Sequence, residues 1–472
     1  MGTQNYIVAL ELGSSKVSGA VAVENYDGIN VIAYTSEPVN GFIAKGVVRN
    51  IDETSKCLTS IINKLETQLD GVTIQKAYVA HAGLSLQSIK STVKREFSEY
   101  TKITQEIIDE MGLENDRIFC LPEGYQRVQV VIQEYKMSGD SSLNPIGLSV
   151  KQIECNYLNI IIKDQFVKQL QESFHLAKIE IADSFTAAHI NAEQLLNKDE
   201  KRDGSALVDI GAETTTIAIY TNKLLRKLCV LPLGGANITR DLQAEHISQS
   251  DAETLKIHAG YKAEKFGESS ISAELRDNII GARMMEILQN IHHQIKHSGE
   301  NISNVVITGG AAKLKNIELL LNDNLPGMKI RIATEPFIEF TTSSSLKVRR
   351  EEISVTLLGL LKGGKENCCL EPKVQAVQQV IFKDEEETVE KMHETPQKGK
   401  EDEVTTEGDK RNEEDKKPKG SNKKAEGSNK KPSIFDIFGG WTDSVKKSAK
   451  DFLDNATKEE EDYTTDDEDD KN

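Results

Sequence analysis

The sequence has no long apolar run, no excess of basic residues and only a modest fraction of apolar residues. Each of these features argues against one class of protein. No stretch reaches the roughly 18 consecutive apolar residues that a transmembrane helix needs. The net charge of −17 argues against nucleic acid as the main partner. A hydrophobic fraction of 38% over 472 residues argues against one uniformly packed body. The first residues carry no basic segment followed by an apolar one, so no signal peptide is expected.

Two common site signatures are also missing. The six cysteines form no C-x-x-C pair, and no histidine stands at zinc spacing, so we expect reduced thiols of a cytoplasmic protein rather than a metal site. There is no G-x-x-x-x-G-K-[ST] loop, so a P-loop nucleotide fold is not supported.

Two widely separated segments share one pattern. Residues 6–23 and 205–220 each contain an apolar strand, an acidic residue, one further residue, a glycine, small hydroxylated residues and a second strand. The pattern predicts a hairpin whose turn offers N–H groups and hydroxyls to an anion, beside a carboxylate that can manage a metal ion. With a third glycine turn in residues 304–315, the hairpins indicate a duplicated fold that closes on a nucleotide.

In the first hairpin, the candidate phosphate-binding residues surround one glycine. That glycine lets the backbone approach an anion, and the neighbouring hydroxyls can donate hydrogen bonds. The candidates are Gly13, Ser14, Ser15 and Lys16, with Glu11 as an indirect ligand of Mg²⁺. The alternative, an ordinary hairpin with a small-residue turn, explains this motif alone equally well.

The second hairpin repeats the motif with one departure. Asp209 is placed to hold Mg²⁺ through water, because Mg²⁺ keeps much of its hydration shell and takes few carboxylates. Gly211 and Thr214 fit a phosphate-binding turn. Glu213 does not fit, because a carboxylate that faces a γ-phosphate is repelled unless a cation intervenes.

Two further segments are candidates for binding the nucleoside. Gly309, Gly310 and Ala312 follow an apolar strand, and such small residues let a flat base lie against backbone. Glu253 and Lys256 share one face of a predicted helix and can bond a ribose or the edge of an adenine. The alternative for this last pair is a surface ion pair, the more usual meaning of that spacing.

The body of the chain alternates between the two kinds of regular structure, which indicates an α/β architecture. Strands are predicted at residues 77–81, 128–135, 157–162 and 305–308, and helices at 55–69, 165–176, 279–295 and 353–362. The composition changes after Gly364. Residues 383–434 contain no aromatic residue and many charges of both signs, so they are predicted to be a disordered tether.

The tether leads to an amphipathic segment at residues 433–455. On a helical wheel, its apolar arc has the only tryptophan of the chain at its centre. The residues predicted to enter a membrane are Ile434, Phe435, Ile437, Phe438, Trp441, Val445 and Phe452. The alternative is a helix that docks on a protein, given the mixed charge of its polar face. The acidic residues 456–472 are predicted to be a solvated tail.

The order and spacing of the four motifs resemble the actin/sugar-kinase/heat-shock-chaperone ATPase superfamily. Within it, the chain is most similar to the bacterial cell-division family FtsA. Glu11 in the first phosphate motif, where most relatives carry Asp, is a substitution familiar in that family. Further similar segments are residues 40–52, 77–83, 144–149 and 233–242, and the amphipathic segment after a linker completes the pattern.

The resemblance implies an actin-like duplicated ATPase fold with ATP and Mg²⁺ between its halves. It also implies self-assembly into an actin-like polymer, binding of the C-terminal tail of the tubulin-like FtsZ through subdomain 2B, and contact with other division proteins. The terminal helix implies a peripheral protein on the cytoplasmic face of the cell membrane at the division site. The chain is thereby divided into segments. These are subdomain 1A (1–83 and 166–203), subdomain 1C (84–165), subdomains 2A and 2B (204–364), a disordered linker (365–432), a membrane-targeting helix (433–455) and an acidic tail (456–472).

Two departures from the family pattern bear on activity. Ala212 and Glu213 replace two glycines of the second phosphate motif, which leaves ATP hydrolysis open and predicts weak or no turnover. The linker is long and an acidic tail follows the helix, so lipid binding should rest on apolar insertion rather than on charge. The alternatives are a PilM-like scaffold of pilus assembly and a small-molecule kinase of the same superfamily.

Overall fold

The computed structural model of the chain describes residues 4–25, 28–259, 261–262, 271–333 and 335–370. The predicted helix at 433–455, the tail at 456–472 and the linker beyond residue 370 lie outside the described residues. The described strands are β1 (Tyr6–Leu12), β2 (Lys16–Asn25), β3 (Gly28–Pro38), β4 (Ile43–Ala44), β5 (Val47–Val48), β6 (Thr73–Ile74), β7 (Lys76–His81), β8 (Gln87–Lys102), β9 (Tyr125–Met137), β10 (Asp140–Ser142), β11 (Ser149–Lys163), β12 (Glu180–Thr186), β13 (Ser205–Ile210), β14 (Thr215–Thr221), β15 (Leu224–Leu231), β16 (Asn304–Thr308), β17 (Lys329–Ile332), β18 (Phe340–Thr342) and β19 (Cys369–Leu370). The described α-helices are α1 (Ile51–Thr67), α2 (Gln105–Ile118), α3 (Asp164–Leu176), α4 (Ala187–Leu195), α5 (Lys198–Asp203), α6 (Gly235–Gln243), α7 (Gln249–Ala259), α8 (Ala273–Lys296), α9 (Ile317–Asn324) and α10 (Val355–Gly363).

The first lobe is built on a six-stranded sheet with the order β12-β7-β1-β2-β3-β18. β1, β2 and β3 form an antiparallel meander, whereas β7 runs parallel to β1 and β12 parallel to β7. Helix α1 packs on β2 and β3, and α10 packs on β1, β2 and β7. Val8, Ala9 and Leu10 are consecutive and all fully buried, as in a strand that is covered on both faces.

The second lobe repeats this topology. Its sheet has the order β15-β14-β13-β16-β17, with an antiparallel meander of β13, β14 and β15 and two parallel strands beyond β13. The strand order and directions match β3-β2-β1-β7-β12 of the first lobe. Both predicted hairpins are confirmed, because β1 pairs with β2 along its whole length and β13 pairs likewise with β14.

The predicted strands and helices of the body are confirmed, although their ends differ by several residues. The helix predicted at 279–295 begins earlier, at Ala273, because Ser272 caps it by accepting from the N–H of Leu275. The strand predicted at 157–162 is the end of the longer β11. None of the helices in the described part of the chain is both long and apolar enough to span a bilayer.

Residues between β7 and α3 form an insert with its own sheet, in the order β10-β9-β11-β8. A small core beneath α2 includes Met111, Ile153 and Tyr157. The insert also contacts the second lobe at β15. The Leu228 N–H donates to Ser88 Oγ at 2.8 Å, and Gln133 Nε2 donates to a β15 carbonyl. The insert therefore covers an edge strand of the second sheet.

The end of the segment predicted as 204–364 contacts the first lobe. Strand β18 pairs in parallel with β3, and α10 belongs to the core of the first lobe, so the end of this segment returns to the first half. The physical reason is that α10 (VTLLGLLKG) is apolar on most of its surface and needs a position between other elements. The spacing of apolar residues in the sequence does not reveal which lobe provides that position.

Residues 365–370, which the prediction assigns to the linker, also contact the first lobe. Strand β19 pairs with β6, and Cys368 and Cys369 are both buried. The Tyr78 hydroxyl accepts hydrogen bonds from the N–H groups of Lys365 and Glu366. These contacts extend the folded body through residue 370. The composition becomes highly charged only further along the chain.

Candidate functional site

The two hairpins close through the same kind of turn. In the first turn, residues 13–16, the Gly13 N–H donates to the Lys16 carbonyl at 3.0 Å. In the second turn, residues 211–214, the Gly211 N–H donates to the Thr214 carbonyl at 2.8 Å. A β-carbon on Gly13 would lie 2.9 Å from the carbonyl that closes the turn, and one on Gly211 would lie at 3.2 Å. Both turns are therefore too tight for a side chain at the glycine without some adjustment.

The acidic residues of the two hairpins occupy equivalent register positions. Each stands one pair before the last pair of its ladder, with Glu11 opposite Ser18 and Asp209 opposite Thr216. Both are partly buried. The duplication therefore brings two carboxylates to corresponding places beside the two turns.

These two carboxylates interact electrostatically. Burial, and then the charge of Glu11, raise the pKa of Asp209 from 3.8 to about 6. Burial also raises the pKa of Glu11, although the hydrogen bond from Ser354 and the charge of Lys16 oppose the rise. No group of three or more His, Cys, Asp or Glu that could hold a metal occurs in the described ranges. Two carboxylates completed by water suit Mg²⁺, and a divalent cation would relieve their repulsion.

Hydrogen bonds connect the two acids through helices α4 and α10. Ser354, the N-cap of α10, donates to Glu11. Asn191 of α4 donates to Asp209 Oδ2 at 3.3 Å and accepts from Thr356 Oγ1 at 3.0 Å. No sequence motif predicted a role for Asn191, Ser354 or Thr356. The one local signal was a serine directly before an apolar helical run, which predicts an N-cap but no partner.

The hydroxyls and the lysine of the first turn have different environments. Ser14 is half-buried and accepts a hydrogen bond from the Gly46 N–H at 2.7 Å. Ser15 and Lys16 are exposed. The Lys16 ammonium lies 3.4 Å from the Glu352 carbonyl, on the side of α10. Of the predicted phosphate ligands in this turn, Ser14 holds the turn between β4 and β5 through its side chain, and Lys16 contacts the segment before α10.

Glu213 reaches from the second turn to the first lobe. Its Oε2 accepts a hydrogen bond from the Lys45 N–H at 2.7 Å. Lys45 and Gly46 form the turn between β4 and β5, and both have positive φ, at 53° and 70°. We call this the bridging turn. It receives Ser14 from the first turn and Glu213 from the second, so the two predicted phosphate turns converge on two successive amides.

Helix α6 supports the second turn. Its Gly235 N–H donates to the Gly211 carbonyl at 2.9 Å, and its Ala236 N–H donates to the Ala212 carbonyl at 2.6 Å. The predicted pair of α7 lies beside this helix and forms an i,i+3 ion pair, in which the Lys256 side chain is 14% exposed and the Glu253 side chain 44%. The Lys256 ammonium donates to Glu253 at 2.7 Å and to the Gly235 carbonyl at 3.3 Å.

The third turn, residues 308–312, packs against the second acid. Gly309 has a φ of 94°, and a β-carbon there would clash with Asp209 Oδ1 and lie 2.5 Å from the Ile210 carbonyl. Nothing lies within 4 Å of a β-carbon built on Gly310, and Ala312 is buried. The structure thus brings Gly309 to the acid of the second hairpin and leaves Gly310 facing open space.

Comparison with known proteins identifies the family. A family profile described as Cell division protein FtsA matches residues 206–348. The chain is 30% identical over 342 residues to the Cell division protein FtsA of Porphyromonas gingivalis, and the match covers 67% of this chain and 70% of that protein. The chain belongs to the FtsA family. The resemblance drawn from the motifs is thereby confirmed.

Other comparisons agree with membership in FtsA and with the fold. The FtsA of Bacillus subtilis is 27% identical, with 72% of this chain and 80% of that protein covered. The solved PilM-PilN type IV pilus biogenesis complex matches with a TM-score of 0.55 at 16% identity, covering 75% of this chain and 97% of that chain. The predicted α/β class and the actin-like duplicated fold are confirmed for the described body.

Proposed function

We propose that this FtsA-family chain is an ATP-binding division protein that self-assembles and tethers the FtsZ ring to the cytoplasmic face of the membrane. The observation that carries the nucleotide assignment is the convergence of two equivalent turns beside two interacting carboxylates. Family membership supports the role in division. Turnover of ATP is proposed to be slow or absent, so that the nucleotide acts mainly as a structural ligand.

The proposed nucleotide contacts follow from the geometry of the three turns. We assign the phosphates to the backbone of the first and second turns, which Gly13 and Gly211 keep tight. Glu11 and Asp209 would hold a hydrated Mg²⁺, whose charge would offset that of the phosphates. The remaining candidates for phosphate, ribose and adenine are Ser14, Ser15, Lys16, Thr214, Glu253, Lys256, Gly309, Gly310 and Ala312. Absence of any calorimetric heat with Mg-ATP would contradict this assignment.

The proposed subdomains follow the sheet topology and the packing of α10 and β18. We assign 1A to the first lobe with α10 and β18, 1C to the insert, and 2A with 2B to the second lobe. FtsZ, through its C-terminal tail, is proposed to dock on 2B, and other division proteins and further copies of this chain are proposed as additional partners. The insert covers the edge strand β15. This contact supports treating the insert and the second sheet as one body.

The membrane contact is proposed for the amphipathic residues 433–455, with Trp441 at the centre of the apolar face. Changing Trp441→Glu should abolish flotation of the full chain with liposomes, because it places a charge in the inserted face. Lys447→Gln is the matched control, since it changes the net charge equally but lies on the polar face. Flotation of both variants like the unmodified chain would contradict the tether.

A second candidate is a PilM-like scaffold of pilus assembly, which the fold similarity favours. The identities of 25–30% to FtsA proteins and the amphipathic residues 433–455 favour the division role instead. Co-purification with a short pilus peptide, but not with the FtsZ tail, would reverse this preference. Rapid phosphoryl transfer to a small acceptor would instead favour a kinase.

A further inference from the structure

The bridging turn offers two successive backbone amides near the second lobe. Lys45 and Gly46 both have positive φ, as in the type I′ turns that join short hairpins. Consecutive N–H groups of such a turn point outward and suit anions or carbonyl-like acceptors. The Gly46 amide meets the neutral Ser14 hydroxyl, whereas the Lys45 amide meets the Glu213 carboxylate, each at 2.7 Å.

The bridging turn is fixed to the first lobe. The Lys45 carbonyl accepts from the Leu84 N–H at 2.9 Å. A β-carbon on Gly46 would lie 2.6 Å from the Gly83 Cα, so the backbones of these two glycines are in close contact. Glu213, in contrast, belongs to the second lobe. Its hydrogen bond to Lys45 therefore joins the two lobes directly at the candidate site.

Glu213 brings a negative charge to one of the two turns that are proposed to bind the phosphates. It stands in the second turn between Gly211 and Thr214, and its carboxylate extends toward an amide of the first lobe. A terminal phosphate between the two turns would meet this carboxylate and compete for the same N–H. Two anionic groups a few ångströms apart repel each other strongly in a partly buried site.

We propose that Glu213 is a latch that holds the Lys45 amide and thereby makes the site select against the terminal phosphate, so that ATP binds more weakly relative to ADP than it would without this carboxylate. The selection rests on the proposed nucleotide site. The diphosphate leaves the latch in place, whereas the additional phosphate of a triphosphate must displace it. The residue thus has two roles that can be separated: a hydrogen-bond acceptor that joins the lobes, and a charge that opposes the terminal phosphate.

Two substitutions separate these roles in the full chain. Glu213→Ala removes both the acceptor and the charge, and Glu213→Gln keeps an acceptor but removes the charge. Glu245→Gln is the control, since it removes one charge at an exposed position of the same lobe. Amide exchange at Lys45 is measured without nucleotide, and ATP and ADP affinities are measured by calorimetry with Mg²⁺.

We expect Glu213→Ala to speed exchange at Lys45 at least about tenfold, because the N–H loses its acceptor. We expect Glu213→Gln to raise the affinity ratio of ATP to ADP by about tenfold, with no change in Glu245→Gln. Unchanged exchange at Lys45 overturns the latch, and an unchanged ratio overturns the selection. If no variant binds either nucleotide, both the proposed nucleotide site and the selection are contradicted. In that case, amide exchange at Lys45 still tests whether Glu213 holds this N–H.

Discussion

The first and second turns have one backbone geometry but different surroundings. The first turn ends in exposed Ser15 and Lys16, and its acid, Glu11, is held by the N-cap of α10. The second turn carries a carboxylate at Glu213, and its acid, Asp209, is enclosed by Asn191 and the third turn. Duplication has thus preserved the hydrogen bond that closes the turn while the side chains around it have diverged.

This difference separates a structural requirement from a chemical one. The closing hydrogen bond and its glycine recur because the ladder must reverse direction within four residues. The surrounding groups do not recur, because different elements pack against each turn. The second turn is the more enclosed of the two, since α6, the bridging turn and the third turn all contact it or its acid.

The largest expected effect tests the enclosure of the second turn. Gly309→Ala should destabilise the protein by about 3 kcal/mol or more, because the residue has positive φ and its β-carbon clashes with Asp209. Gly310→Ala is the matched control, with no atom within 4 Å of its β-carbon. Urea unfolding measures both. Equal stability of the two variants would show that the third turn does not enclose the acid.

The next effect tests the interaction of the two acids. The raised pKa of Asp209 means that the folded protein binds more protons than the unfolded one between pH 3.8 and about 6, so its contribution to stability falls as pH rises through that window. Asp209→Asn should remove the fall. In the presence of a chelator, the variant should gain up to about 3 kcal/mol over the parent at pH 7 and little at pH 4.

Urea unfolding at pH 4, 5.5 and 7 measures this gain, with Glu245→Gln as the control for removing an exposed charge. A constant difference between parent and Asp209→Asn at all three pH values would contradict a raised pKa. Addition of Mg²⁺ at pH 7 should stabilise the parent more than the variant, because only the parent keeps both carboxylates.

The smallest expected effect concerns the first turn. Ser14→Ala should cost about 1–2 kcal/mol, because it leaves the partly buried Gly46 N–H without its acceptor. Ser15→Ala is the matched control at the adjacent exposed hydroxyl, and its effect should be close to zero. Thermal or urea unfolding distinguishes them. A larger loss for Ser15→Ala would mean that the two hydroxyls have exchanged roles.

The hairpins, the α/β class and the family could be predicted without coordinates. These follow from local signals: apolar runs of strand length, an acid and a glycine at fixed spacing, and the order of the motifs along the chain. The sequence also predicted Gly13, Gly211 and Gly309 as special positions. Such features depend on backbone geometry within a few residues, and a short stretch of sequence can specify that geometry.

The groups that surround the two acids and the two turns are brought there by long-range folding. Asn191, Ser354 and Lys45 reach the site from distant parts of the chain, through hydrogen bonds that no local pattern encodes. The same holds for α10, whose apolar residues predicted burial but not a place in the first lobe. The contact of Glu213 with a backbone N–H was equally inaccessible from sequence, because every residue carries that group and only folding selects the one that lies within reach.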